Sequence, residues 1–293
     1  MRFATFALIA AFALTGNDVA WAREQKERLL FDVMFGGLHV ADVVVSLDQS
    51  AARYTSRLEM RTRGVLEFFQ DFRADMASEG EFVAASPLRA LPVLYTRAWS
   101  GREMASEMTM RFDPARGLTE SIERLYNPAT GAPLRLEDMP WNTRRKPIPP
   151  VPEALRAGAV DPVTAFIAAR RQVLDSGQRE VRVPIYDGRR RYDIISTVGK
   201  PRTATIKNQP REVVPVISRV EPVFGFEPDS EDRMREAKGT TLFSADERFL
   251  PVQIIVGNDL FSSVMNLVAE CTADPTPCDA IGQQREQAKS EAN

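Results

Sequence analysis

The chain has 293 residues, with 38 Lys and Arg against 40 Asp and Glu and a formal net charge of -2. That near-neutral balance gives no general electrostatic case for nucleic acid, and an apolar content of 44% is ordinary for a soluble globular protein. His39 is the one histidine, which excludes His-rich metal sites and paired-His relays.

Arg2 precedes an apolar run from Phe3 to about Leu14, and Ala20-Trp21-Ala22 follows with small-x-small spacing. The pattern predicts a cleavable secretory signal over residues 1–22, cut after Ala22, and delivery to an oxidising compartment, the bacterial periplasm. The run is well short of the ~20 apolar residues a membrane span needs, and no Cys follows it for lipid attachment. The protein is therefore expected to be peripheral to a membrane at most. Residues 23–282 are expected to form one β-rich domain, ahead of a polar, disordered tail over 283–293.

Within that domain, residues 29–48 carry two apolar segments around Gly36-Gly37, the pattern of a hairpin or a bulged, bent strand. Tyr54, Ser56, Leu58, Met60 and Thr62 alternate with Thr55, Arg57, Glu59, Arg61 and Arg63, which is a half-buried antiparallel strand. Phe72, Ala74, Met76 and Ser78 resume the alternation. Further strands are expected over 87–100, 104–112 and 118–126, with Asp113-Pro114-Ala115-Arg116-Gly117 as a turn.

Seven prolines between 127 and 158 rule out an ordinary helix or central strand through most of that stretch, which reads as a stiff, extended crossover. It leads into the one clear helix. Asp161 is a natural cap and Pro162 fits the first helical position; Val163, Phe166, Ile167 and Leu174 recur at helical spacing, and Gly177 is the stop. After it, Asp187-Gly188 joins strands at 181–186 and 192–198, and strands are expected at 213–220, 240–244, 250–256 and 261–271. The fold class is thus mainly β: a strongly curved antiparallel sheet, barrel- or spiral-like, with one central α-helix. Its strand-rich halves, 29–126 and 179–271, are joined by the crossover and helix over 127–177. Strong curvature limits exposed edges and encloses a cavity or packed core.

Cys271 and Cys278 are expected to form a disulfide that pins the end of the last strand, contributing about 2 kcal/mol for so small a loop; a redox couple would use Cys-x-x-Cys.

No reaction is written in the sequence. There is no Gly-x-Ser-x-Gly elbow, no phosphate loop and no Gly-x-Gly-x-x-Gly. Carboxylates are plentiful but nothing selects a catalytic pair. The acidic run Glu227-Pro228-Asp229-Ser230-Glu231-Asp232 lacks calcium-loop spacing and reads as a solvated loop. No catalytic residue, metal ligand or cofactor is assigned.

Two basic clusters, Arg144-Arg145-Lys146 and Arg189-Arg190-Arg191, are candidates for an anion or a protein partner, against the plainer reading of exposed turn charges. Met104, Met108, Met110 and Phe112, beside Tyr95 and Trp99, form an apolar face that is either core or the wall of an adaptable cavity for a lipid-like or other apolar ligand.

Several segments together resemble a known family. These are Phe31-Asp32-Val33-Met34-Phe35-Gly36-Gly37-Leu38-His39-Val40-Ala41-Asp42, the helix start Asp161-Pro162-Val163-Thr164-Ala165, the hairpin Val183-Pro184-Ile185-Tyr186-Asp187-Gly188-Arg189-Arg190-Arg191-Tyr192, and Leu242-Phe243-Ser244-Ala245-Asp246-Glu247-Arg248-Phe249-Leu250-Pro251-Val252. In this order, behind a signal sequence, they are similar to the secreted bacterial proteins of domain of unknown function 3108. The resemblance implies a β-rich periplasmic protein with no assigned activity. The leading expectation is a non-enzymatic envelope protein that binds an apolar ligand in a curved sheet. A module contacting an envelope protein partner is the first alternative, and an acid-pair hydrolase of envelope glycans the second.

Overall fold

The computed structural model describes residues 25–64, 66–67, 71–83, 89–135, 149–176, 178–257 and 262–279. The expected signal, Gly177, the cluster Arg144, Arg145 and Lys146, and the tail lie outside the described residues. Strands β1 (Gln25–Phe35), β2 (Leu38–Gln49), β3 (Arg53–Thr62), β4 (Arg73–Val83), β5 (Arg89–Ser100), β6 (Ala105–Asp113) and β7 (Gly117–Tyr126) come first. A short helix α1 (Glu153–Arg156) and the central helix α2 (Pro162–Ser176) follow. The second half holds β8 (Glu180–Tyr186), β9 (Arg191–Val198), β10 (Arg202–Ile206), β11 (Gln209–Phe224), helix α3 (Pro228–Glu236), β12 (Lys238–Ser244), β13 (Pro251–Gly257) and β14 (Ser262–Glu270).

All of these strands belong to one antiparallel sheet ordered β7-β6-β5-β4-β3-β2-β1-β14-β13-β12-β11-β9-β8, with β10 also paired to β11. Alternation in β3 is as the sequence demands, with Tyr54, Ser56 and Thr62 buried and Arg53, Thr55 and Arg57 exposed. Gly36 and Gly37 turn β1 into β2 with φ of 55° and 81°, the left-handed pair whose twist matches the strands. The seam that joins the two halves is β1 against β14. It places β7 and β8, neighbours in sequence, at opposite edges of the sheet, so the segment between them crosses from edge to edge carrying α2.

Among the described residues the sheet does not close through a hydrogen-bonded ladder. Its edges are instead stitched by side chains and by the crossover. Val160 forms a parallel bridge to Ile185, donating to Pro184 O at 2.9 Å and accepting from Tyr186 N at 2.9 Å. Across the gap, Arg189 Nε reaches Glu123 of β7 at 2.7 Å. Gly188, at φ 96°, lies so close to Met108 of β6 that a Cβ there would collide with its thioether.

The cap read from the sequence is present. Asp161 Oδ1 accepts from the amides of Val163 and Thr164 at 2.9 Å each. The simple apolar stripe is corrected: Phe166 is exposed whereas Thr164, Arg170 and Arg171 are buried. A helix held inside a curved sheet is surrounded on most sides, so period alone does not say which side meets solvent. Ala165, Ile167 and Ala168 pack with Leu47, Tyr54, Phe82, Val181, Val183 and Ile185.

Three elements differ from expectation, the first being the one-turn helix α1 inside the stretch read as an extended crossover. The acidic run is not a loop but helix α3, in which Arg235 meets Glu231 one turn earlier at 2.6 Å. Strand β10 was not foreseen. It continues β9 beyond a break where Gly199 donates to Pro215 O at 2.7 Å. Pro215 has no N–H to return, so the ladder opens there and resumes at Arg202–Val213.

The β10–β11 arm turns at Lys207 and Asn208, with φ of 48° and 63°. Its tip packs Ile206 with Val213, Leu242 and Val252 and reaches β1 through Lys207 Nζ to Asp32 at 2.8 Å. Burial works to raise the Asp32 carboxyl, but the bonds from Lys207 and Asn266 outweigh it and hold the group below its ordinary value. A depressed folded pKa contributes stability above the ordinary value, lost as pH falls through the depressed one. Acidification below the usual aspartate range is therefore expected to loosen this tip first, seen as faster amide exchange over 202–213. Lys207→Ala should give the same acceleration at neutral pH, at a cost of about 0.5–1 kcal/mol.

Cys271, just past β14, is disulfide-bonded to Cys278. Cys271 N donates to Arg28 O at 2.6 Å, and Arg28 Nη1 meets Asp279 at 2.6 Å. The bridge thus anchors the end of β14 on β1, as its placement after the last strand foretold.

Candidate ligand cavity

Helix α2 presents Ala165 and Ala169 toward the sheet of the second half, and small side chains at that point leave space. Between the helix and β9, β11, β12 and β13 lies a cavity of about 360 Å³. Phe166 and Val173 flank the alanines on the helix side. Ile194, Val216, Val220, Phe243, Ile254 and Val256 form the opposite wall. The wall is almost wholly apolar and the volume lies in the range of small-molecule pockets. Phe166, 39% exposed, and Val256, 51% exposed, mark where it meets solvent.

One end is fixed by aromatic stacking. Phe243 stacks on Phe249 with centroids 4.2 Å apart, and on Phe166 at 6.3 Å. Phe249 has φ 48°, a costly conformation for a bulky residue. It is held by the stack and by its carbonyl, which accepts from Arg170 Nε at 3.1 Å. Arg170 also lines the cavity, but its charge is spent inside the protein: Nη1 and Nη2 reach the two carboxylate oxygens of Glu27 at 2.7 and 2.8 Å.

The N-terminal end of α2 holds a second polar centre. Asp161 Oδ2 accepts from Thr164 Oγ1 at 2.6 Å and from Ser78 Oγ at 3.0 Å, and Tyr54 Oη lies 2.8 Å from Thr164 Oγ1. Burial pushes the Asp161 carboxyl above the usual carboxylate range, against the donors from Thr164, Ser78 and Val163. The group is fully enclosed and fully hydrogen-bonded, so its work is to dock the helix on β3 and β4.

The residues singled out in the sequence fall elsewhere. Tyr95, Met108, Met110 and Phe112 are packed with Val151, Ala159 and Tyr186 in a core that spans β5, β6, the crossover and β8. Trp99 is half-buried and stacks on Phe72 at 6.1 Å, and Met104 is half-buried just before β6. None of the six lines the cavity beneath α2. Arg189 is tied to Glu123, Arg190 lies over Phe226 at 5.4 Å, and Arg191 donates to Leu155 O at 3.0 Å and to Asp193. His39 is bonded to Asp42 at 2.8 Å. Among the described residues no group of three or more His, Cys, Asp or Glu could hold a metal ion. The cavity wall itself, above all Ala165, Ala169, Ile194, Ser196 and Ser218, was missed. Its one signal was the small-residue face of the helix.

The model of a family described as protein of unknown function, DUF3108, matches residues 30–261. The chain belongs to that family. No curated protein matches this DUF3108 chain. Among solved structures it is similar to the crystal structure of a β-barrel-like protein of domain of unknown function DUF1849 from Brucella abortus. That match has 12% identity and a TM-score of 0.46, and covers 84% of this chain and 96% of that chain.

Proposed function

We propose that this DUF3108 protein is a non-enzymatic protein of the periplasm that supports the cell envelope by holding a lipid-like or other apolar molecule between α2 and the sheet of its second half. The observation that carries this reading is the cavity of about 360 Å³ with its apolar wall. An interior packed to ordinary density has few voids larger than a water molecule, so a space of this size beside a solvent opening is a place for a ligand. The signal pattern over residues 1–22 supports the periplasmic part of the reading.

Ala169→Phe puts a ring into the space. The purified protein is expected to bind a neutral fluorescent apolar probe, and the variant to bind it at least about tenfold more weakly. Fluorescence titration measures both, with thermal melting to show that the variant is folded. Equal affinity in the two folded proteins contradicts the reading.

A further inference from the structure

We propose that the ligand of this cavity is electrically neutral and carries a hydrogen-bonding oxygen, as an alcohol or ester on a hydrocarbon body does, and that this oxygen sits on the hydroxyl pair Ser196 and Ser218. The inference rests on the cavity being the ligand site and goes on to name the class of molecule.

Ser196 and Ser218 are register partners across β9 and β11, and both line the cavity. Their Oγ atoms are 2.8 Å apart and Ser196 is 4% exposed. Each hydroxyl has one proton to donate. The bond between them uses one of the two, and the second has no partner among the described residues. The pair is thus left with one donor and spare lone pairs in a wall whose other uncharged polar side chain is Thr241, and an alcohol or ester oxygen completes it.

Charge is excluded by the rest of the wall. Arg170 is neutralised by Glu27 and by the carbonyls of Arg248 and Phe249, so it has no attraction left for an anion. Arg219 and Lys238 also border the space. Arg219, however, alternates with the inward-lining Ser218 and Val220, so its side chain leaves by the other face, where its neighbour Ile217 is 50% exposed. Lys238 stands directly opposite Arg219 in the β11–β12 register and is likewise exposed. A carboxylate drawn into this wall would lose its water and gain no countercharge.

The test uses the full chain at pH 8, with dodecanol and dodecanoate competing against the neutral fluorescent probe. Dodecanol should bind at least about tenfold more tightly than dodecanoate, and the paired change Ser196→Ala with Ser218→Ala should weaken dodecanol roughly three- to tenfold. Ser218→Ala alone serves if the pair does not fold. Ala169→Phe separates the two levels. If it abolishes binding while dodecanoate equals or exceeds dodecanol in the unaltered protein, neutrality is overturned and the cavity stands. If binding survives Ala169→Phe, the cavity reading fails and this inference with it. An unchanged dodecanol affinity in the serine variants overturns the seat.

Discussion

Replacing Arg170 by Ala is expected to lower the unfolding free energy by about 3–5 kcal/mol, the cost of leaving one member of a buried ion pair behind. Arg170 joins three parts of the chain that are distant in sequence. Its Nη atoms hold Glu27 of β1, while Nε and Nη2 bond the carbonyls of Phe249 and Arg248 in the β12–β13 turn. The substitution strands a buried carboxylate and two carbonyls, and removes the bond that fixes Phe249 at its positive φ. Arg248 is itself tied to Glu270 at 2.7 Å, so the turn stays attached to β14 but loses the helix. Denaturant unfolding measures the loss, and a double change of Arg170→Met with Glu27→Leu should recover much of it, since no charge is then left unpaired. A loss below about 1 kcal/mol, the range of an exposed pair, would mean that the pair is solvated in the folded protein.

Asp161→Ala is expected to cost about 3 kcal/mol, from loss of the helix cap together with the buried hydroxyls that lose their acceptor. The carboxylate serves the amides of Val163 and Thr164 on one oxygen and the hydroxyls of Thr164 and Ser78 on the other. Asp161→Asn keeps an oxygen for the amides and offers an NH₂ to hydroxyls that can rotate to accept, so it should cost markedly less. Ranking alanine as worse than asparagine by chemical denaturation checks the account; equal losses would show that the cap oxygen, which asparagine keeps, contributes nothing and that the second carboxylate oxygen, on Thr164 and Ser78, carries the whole effect.

Local features were the legible ones. The cap at Asp161-Pro162, the Gly36-Gly37 turn and the alternation of Tyr54 through Thr62 are settled by a few neighbouring residues, and they form as read. The β1–β14 seam was not legible, because pairing of Leu29 with Glu270 depends on chain closure over the whole domain. Helix α3 was hidden by its charge: a polar segment reads as a loop until side-chain pairs such as Glu231–Arg235 are counted. Residue type shows that Met108 and Met110 face inward, but inward-facing apolar residues line cores and cavities alike. What makes the cavity is smallness at Ala165 and Ala169, set against strands contributed by residues up to Val256. That juxtaposition exists only in three dimensions.

The most direct measurement of the central claim is mass spectrometry of an organic extract from the full protein, purified without detergent. The account predicts a co-purifying neutral apolar molecule with an alcohol or ester oxygen, close to one per chain, and its absence from Ala169→Phe purified in the same way. An empty extract from the folded, unaltered protein, or the same molecule at the same ratio in both proteins, would contradict it.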